Sequence, residues 1–161
     1  MPCSVAWDKL CPVRINWLTV VVFVIGGAIA VVYAIEDRWR AYAFWRLARQ
    51  FGFAYLRQRL PEALSLYGTP FVHRRFTWNV IDGERNRLRV VVFDCQIGEG
   101  GANWRRTVIA IRTGSSTMDA GKFDARMTVE NSGGWSVFYH PQELKLGVMP
   151  VKELRAHLNS I

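Results

Sequence analysis

The 21 residues from Ile15 to Ile35 include no charged side chain. They read INWLTVVVFVIGGAIAVVYAI, and a helix needs about 20 apolar residues to cross the hydrocarbon core of a bilayer. Trp17 and Tyr33 lie near the two ends, where amphipathic rings favour the membrane interface. The stretch therefore predicts a transmembrane helix over residues 15–35.

Two other interpretations of this stretch are open. It could be a buried core helix, but the rest of a 161-residue chain could hardly cover an uncharged helix of this length. It could also belong to a cleaved signal peptide, with Lys9 and Arg14 as the basic region and Ala28-Ile29-Ala30 as the cleavage site. The apolar region of a signal peptide runs about 7–15 residues, and this one continues past that site. The membrane span is therefore favoured.

Basic residues flank the predicted span unequally. Lys9 and Arg14 precede it, and four arginines lie within the 15 residues that follow it: Arg38, Arg40, Arg46 and Arg49. Because Lys and Arg accumulate on the cytoplasmic side of a span, we expect a single-pass membrane protein with its C-terminal side in the cytoplasm. Residues 1–14 would form a short outer tail, and the C-terminal domain would be cytoplasmic.

Small residues recur at every fourth position of the predicted span. Gly26, Ala30 and Ala34 would lie on one side of the helix. This spacing lets two transmembrane helices approach closely, so the span is a candidate homodimer interface.

Residues 36–59 form a juxtamembrane segment with six arginines and two acids, a net charge of +4. Within it, helical spacing places Phe44, Leu47, Ala48 and Phe51 on one face, and Gly52 is positioned to end the helix. Arg40 lies on the apolar side, from which its long side chain could reach lipid headgroups.

Two interpretations of this amphipathic helix are open, and they are compatible. It could be the first helix of the folded domain, or it could lie on the anionic membrane surface. The candidate membrane contacts are the basic and aromatic residues Arg38, Trp39, Arg40, Trp45, Arg46 and Arg49.

Residues 60–161 predict a soluble α+β domain with an antiparallel sheet of about five strands flanked by helices. The predicted strands are 76–81, 87–97, 105–112, 126–130 and 135–139, and the second of them should be central because its middle is apolar on both faces. The first turn falls at Asp82-Gly83 or at Arg85-Asn86. Helices are expected from Pro61 to Leu66 and from Pro150 onward. A barrel closed by the last helix, as in pleckstrin-homology-like domains, is the alternative architecture.

Several short motifs resemble an uncharacterised family of small single-span bacterial membrane proteins. They are Phe51-Gly52-Phe53, Asn79-Val80-Ile81-Asp82-Gly83, Val92-Phe93-Asp94, Thr107-Val108 and Met127-Thr128-Val129-Glu130. The resemblance covers roughly residues 40–160 and implies a location and a fold but no activity. Tyr is usual in the family where Cys95 stands, which argues against Cys95 as an essential nucleophile.

The sequence holds no recognisable catalytic or cofactor-binding motif. His73, Cys95, His140 and His157 are scattered without metal-ligand spacing, so no metal site and no cofactor are expected. The glycine-rich residues 98–101 lack the lysine of a phosphate-binding loop and join two strands, which indicates a hairpin loop. Cys95 shares a strand face with apolar residues and is expected to be a buried, inert thiol.

Five arginines near the first predicted hairpin are a low-ranking candidate anion site: Arg74, Arg75, Arg85, Arg87 and Arg89. The alternative is a solvated, arginine-rich sheet edge. Residues 60–161 carry a net charge of only +3, which disfavours a nucleic-acid partner.

Taken together, these features predict a membrane-anchored, non-enzymatic interaction or scaffold module, with membrane lipid and an unidentified protein as partners. The alternative function is the binding of anionic lipid headgroups or another anionic ligand. An enzyme with a site assembled from distant residues is the third hypothesis.

Overall fold

The computed structural model describes residues 17–98, 104–114, 126–141 and 148–161. A 35-residue helix, α1, runs from Trp17 to Phe51. Six strands follow: β1 (Ala54–Arg57), β2 (Phe76–Arg85), β3 (Leu88–Ile97), β4 (Trp104–Arg112), β5 (Thr128–Ser132) and β6 (Trp135–Tyr139). A short 3₁₀ helix (Pro70–His73) precedes β2, and the final helix, α2, spans Val151–Ser160. The predicted α+β class is therefore confirmed, with six strands where about five were expected.

The chain divides into two compact units between Arg38 and Trp39. The first contains the apolar part of α1, and the second, Trp39–Ile161, contains the last turns of α1, the sheet and α2. The amphipathic helix therefore belongs to the folded unit from Trp39 onward, in agreement with the first of the two interpretations that the sequence left open. We call Trp39–Ile161 the folded unit.

All strand pairs of the sheet are antiparallel, and the strand order is β1-β2-β3-β4-β6-β5. β3 lies between β2 and β4, as its two apolar faces predicted, and its residues from Val90 to Cys95 are buried. β1 and β5 form the two edges of the sheet. The sheet that the described residues form is thus open, and within them the closed barrel that the sequence left as an alternative is not formed.

Two apolar layers cover the two faces of the sheet. On the helix-covered face, strand residues such as Val92 and Ile109 pack in one cluster with Phe44 and Leu47 of α1 and with Leu154 of α2. Helices thus cover one face of the sheet as expected, but they are α1 and α2 rather than a helix at residues 61–66.

On the opposite, loop-covered face, Phe93 and Val108 cluster with Leu66 and Phe71 from the long connection between β1 and β2. Trp135 fixes this connection by donating a hydrogen bond from Nε1 to the carbonyl of Ala63 at 3.0 Å. Only Leu66, Thr69 and Phe71 of this connection are buried, and they hold it against the sheet.

The helix end and the hairpin turn follow local rules. Gly52 adopts a φ of +72°, and the Phe53 amide donates to the carbonyl of Ala48 at 2.8 Å, so Gly52 ends α1 as predicted. The β2–β3 turn consists of Asn86 and Arg87, with φ of 48° and 66°. These positive values match a two-residue hairpin turn. Of the two predicted turn positions, Arg85-Asn86 is therefore nearly correct, since the turn lies one residue further on.

Two predictions about the connection before β2 were wrong. Residues 61–66 form a turn rather than a helix, closed by a 3.1 Å hydrogen bond from the Leu64 amide to the carbonyl of Pro61. β1 was not predicted, since four residues directly after a helix offer too short an alternation to detect. The predicted loops at residues 99–101 and 115–116 and the N-terminal tail lie outside the described residues.

Candidate functional site

The apolar part of α1 exposes its side chains along its whole described length. Within the described residues, α1 is long and apolar enough to cross a membrane, and no residue of its most apolar 18-residue stretch is buried. Phe23 is 75% exposed and Val22 68%, which excludes a core helix within the described residues. Gly26, Ala30 and Ala34 are also exposed, and helix pairing through them stays a prediction.

The last part of α1, residues 39–51, has two opposite faces. Phe44 and Leu47 are fully buried in the core of the folded unit, and Phe51 packs beside them. At 100° per residue, the exposed residues of this segment lie about 180° away from that buried stripe. The predicted core face is therefore confirmed, and the same helix leaves a second face free.

We call this second face the aromatic–basic face; it consists of Trp39, Tyr42, Trp45, Arg46 and Arg49. All five side chains are exposed, with Trp39 at 68% and Tyr42 at 54%. The rings of Tyr42 and Trp45 stack with centroids 5.6 Å apart, and the Arg49 guanidinium lies 5.0 Å from the centre of the Trp45 ring. Three of its five side chains therefore contact one another: Tyr42, Trp45 and Arg49.

Arg40 takes no part in the aromatic–basic face, because its side chain points into the folded unit. Its Nε and Nη2 donate to the two carboxylate oxygens of Asp94 at 2.7 and 2.8 Å. Nη1 donates to the carbonyl of Met149 at 3.0 Å, and the Asp94 side chain is completely buried. The expectation that Arg40 would contact lipid headgroups therefore gives way to a buried, two-point ion pair.

Two further side chains, Thr107 and Asn79, complete the hydrogen bonding of the Arg40–Asp94 pair. Thr107 donates from Oγ1 to Asp94 at 2.8 Å and accepts from the Met149 amide at 2.9 Å. Asn79 donates from Nδ2 to Asp94 at 2.9 Å, and it sits at a β-bulge of β2 with a φ of 54°. The network joins α1, β2, β3, β4 and the backbone of Met149, two residues before α2, so it sets the position of residues 39–51 on the sheet.

The five arginines near the first hairpin do not meet in one place. Arg74 and Arg75 precede β2, whereas Arg85, Arg87 and Arg89 lie at its far end, and a strand of this length spans about 30 Å. Four of them have partners. Arg89 binds Asp82 at 2.8 Å, Arg74 donates to the carbonyl of Phe71, and two lie over aromatic rings, Arg85 over Phe51 and Arg75 over Phe76. The single anion site predicted from these arginines is therefore not assembled.

Arg106 is a charged residue that the sequence did not single out. It is 6% exposed on the loop-covered side of β4, and its Nη2 has no hydrogen-bond partner within the described parts of the chain. It lines a cavity of about 220 Å³ where β3 ends and β4 begins. The other lining residues are mostly apolar or aromatic: Pro70, Ile97, Trp104, Tyr139 and Pro141.

Cys95 is fully buried beside Arg106, its partner in the β3–β4 register. Burial raises the pKa of the thiol to about 12, and the nearby Asp94 charge adds to the rise. The thiol is therefore protonated and inert at neutral pH, which confirms the expectation of a buried structural cysteine.

A small polar group joins β6 to α2. His140 and His157 approach Glu153 Oε1 at 3.2 and 3.7 Å, and both histidines are buried. Among the residues that the structure describes, no group of three or more His, Cys, Asp or Glu side chains has the arrangement of a metal site. We therefore assign these three side chains to the attachment of α2.

Sequence reasoning missed the two buried arginines for different reasons. The position of Arg40 on the apolar stripe of its helix is visible in the sequence. Its partner Asp94, however, is 54 residues away, so the ion pair is not. Arg106 stands next to the exposed Arg105 in an alternating strand, and nothing local distinguishes the buried residue from the exposed one.

Comparison of the chain with protein-family models, with curated proteins and with solved structures finds no match. The resemblance to a family of small single-span membrane proteins therefore stays a prediction.

Proposed function

We propose that this chain is a single-span membrane protein whose folded unit is a non-enzymatic interaction module, and that its aromatic–basic face binds anionic lipid headgroups. The folded unit begins at Trp39, directly after the candidate span in the chain. In this proposal the span lies in the bacterial inner membrane and the folded unit is cytoplasmic.

The observation that carries the proposal is that residues 39–51 bury one face of their helix in the core and expose aromatic and basic side chains on the other. Phe44 and Leu47 are already buried in the core, so the exposed aromatic rings are not needed for folding. Trp and Tyr rings favour the membrane interface, and Arg side chains near an anionic leaflet gain about 1 kcal/mol each. A helix face that combines both, next to a candidate span, fits the surface of an anionic bilayer.

Site-directed spin labelling of the full chain tests this proposal. A nitroxide is attached at Gln50, an exposed residue of the same helix, in a Cys3→Ser/Cys11→Ser background. Cys95 stays unlabelled because it is buried and protonated. We expect the label to lose contact with a water-soluble relaxation agent when vesicles of phosphatidylcholine are replaced by vesicles containing phosphatidylglycerol.

Matched charge variants separate the aromatic–basic face from general charge effects. Arg46→Gln/Arg49→Gln should abolish the response to phosphatidylglycerol, whereas Lys152→Gln/Arg155→Gln, two exposed basic residues of α2, should leave it intact. If neither pair changes the response, or if the label responds equally to both lipids, the aromatic–basic face does not bind anionic lipid.

A protein partner and a homodimer through Gly26, Ala30 and Ala34 stay predictions. Chemical crosslinking of the full chain in native membranes tests both, since a self-crosslink at twice the chain mass indicates a dimer and any other mass a different partner.

A further inference from the structure

The cavity around Arg106 lies at one end of the loop-covered face of the sheet. It is bounded by Ile97 at the end of β3, Trp104 at the start of β4 and Tyr139 at the end of β6. Pro70 and Pro141 also line it. Most of the wall that the described residues form is therefore apolar, and Arg106 is the charged residue among them.

Arg106 has fewer partners than a buried guanidinium normally requires. Nη1 donates to the carbonyl of Arg105 at 3.0 Å, and the guanidinium lies 5.6 Å from the centre of the Trp104 ring. Nη2 is buried without a hydrogen bond in the described part of the chain, where Arg106 forms no ion pair. Buried charges in proteins are usually paired, because removal from water is costly without compensation.

The neighbours of Arg106 do not supply the missing negative charge. Cys95 faces it across the β3–β4 ladder, but the thiol is neutral because burial raises its pKa to about 12. The phenol of Tyr139 is used elsewhere, since it donates to Glu130 Oε1 at 2.6 Å. Burial lowers the pKa of Arg106, because removal from water disfavours the charged form of the guanidinium.

We infer that this cavity binds a small organic carboxylate, whose charged group contacts Arg106 and whose apolar body lies between Trp104, Ile97 and the two prolines. This inference does not depend on the lipid binding proposed above, because it concerns a different face of the folded unit.

Charge and size define the ligand class. One buried cation balances a single negative charge, which matches a carboxylate better than a doubly charged phosphate. A cavity of about 220 Å³ is smaller than the roughly 300–1,000 Å³ of sites for drug-sized ligands. A short acyl chain or a single ring on the carboxylate would fill it, and Thr128 adds a polar side chain to the wall.

Equilibrium dialysis with radiolabelled hexanoate tests the inference on the full chain in nanodiscs of zwitterionic lipid, with empty nanodiscs subtracted. Hexanol and hexylammonium have the same apolar body as hexanoate but are neutral and positively charged, respectively. Inorganic phosphate serves as an anion that has no apolar body. We expect saturable binding of one hexanoate per chain and no saturable binding of the other three. If hexanoate does not saturate, or if hexanol binds equally well, the inference is wrong.

Variants of adjacent arginines locate the site. Arg106→Gln should weaken hexanoate binding by about tenfold or more, because it removes a charge-assisted hydrogen bond. Arg105→Gln removes a neighbouring exposed arginine and should leave the affinity unchanged. Equal affinities in the two variants would overturn the assignment to Arg106, and the comparison of the four ligands on the wild-type chain stands even if Arg106→Gln fails to fold.

Discussion

Replacement of Arg40 by Met should destabilise the folded unit far more than replacement of any exposed arginine on the same helix. The change keeps most of the side-chain volume and removes the charge that neutralises Asp94. Asp94 is completely buried, and Arg40 is 15% exposed, so solvent cannot replace the lost partner. Breaking a buried pair by removing one member costs about 3–5 kcal/mol, since the remaining charge is left uncompensated.

The expected loss lies toward the lower end of that range. Thr107 and Asn79 still donate to Asp94 at 2.8 and 2.9 Å after the substitution, so two of its four hydrogen bonds persist. We therefore expect a loss of about 3 kcal/mol in the free energy of unfolding. The control is Arg46→Met, whose native side chain is exposed on the same helix, and it should change stability by no more than about 0.5 kcal/mol.

Cys95 provides the assay. In a Cys3→Ser/Cys11→Ser background, the rate at which a thiol reagent labels Cys95 in mild detergent reports the opening of the folded unit. Its dependence on urea gives the free energy of unfolding for each variant. If Arg40→Met and Arg46→Met are equally stable, the network around Asp94 does not position the helix, and the reasoning fails.

A double-mutant cycle tests the same ion pair, because the double variant leaves no unpaired charge in the core. Arg40→Met combined with Asp94→Leu removes both charges, and the pair should be less destabilised than the sum of the two single changes. Additive losses would mean that the two side chains do not interact energetically.

Three further predictions concern the core, the thiol and the orientation. Phe93→Ala should cost about 3–5 kcal/mol in the same unfolding assay, because the ring is fully buried, and a loss below about 1 kcal/mol would place the core elsewhere. The raised pKa of Cys95 favours the neutral thiol in the folded state, so stability should fall between about pH 9 and about pH 12, where the unfolded thiol loses its proton first. Urea unfolding followed by tryptophan fluorescence, which does not require the thiol, should show this fall in the wild type and not in Cys95→Ala. A reporter fused after Ile161 should be active in the cytoplasm, and activity only outside it would reverse the proposed topology.

Features with a local cause could be predicted from the sequence. The uncharged stretch before Glu36, the end of α1 at Gly52 and the central position of β3 each depend on a pattern within a few consecutive residues. The apolar stripe through Phe44 and Leu47 also predicted correctly which face of the helix packs on the sheet. These patterns report burial directly, because hydrophobic periodicity is imposed by the face that a core covers.

Features that depend on residues far apart in the chain could not be predicted. The pairing of Arg40 with Asp94 joins α1 to the middle of β3, and a charged residue on an apolar stripe fits either a lipid contact or a buried partner. The five hairpin arginines are close in sequence, but β2 separates them along its length. The cavity at Arg106 exists only because the ends of three strands and the loop at Pro70 converge there.

The most direct test of the central claim is photo-crosslinking from the aromatic–basic face in native membranes. Benzoylphenylalanine is placed at Tyr42, which is 54% exposed on that face, and separately at Tyr67, which is 85% exposed in the connection before β2. After irradiation of the full chain, mass spectrometry identifies the adducts. The account predicts lipid adducts at Tyr42 and few or none at Tyr67; equal lipid labelling at both positions, or only protein adducts at Tyr42, would contradict it.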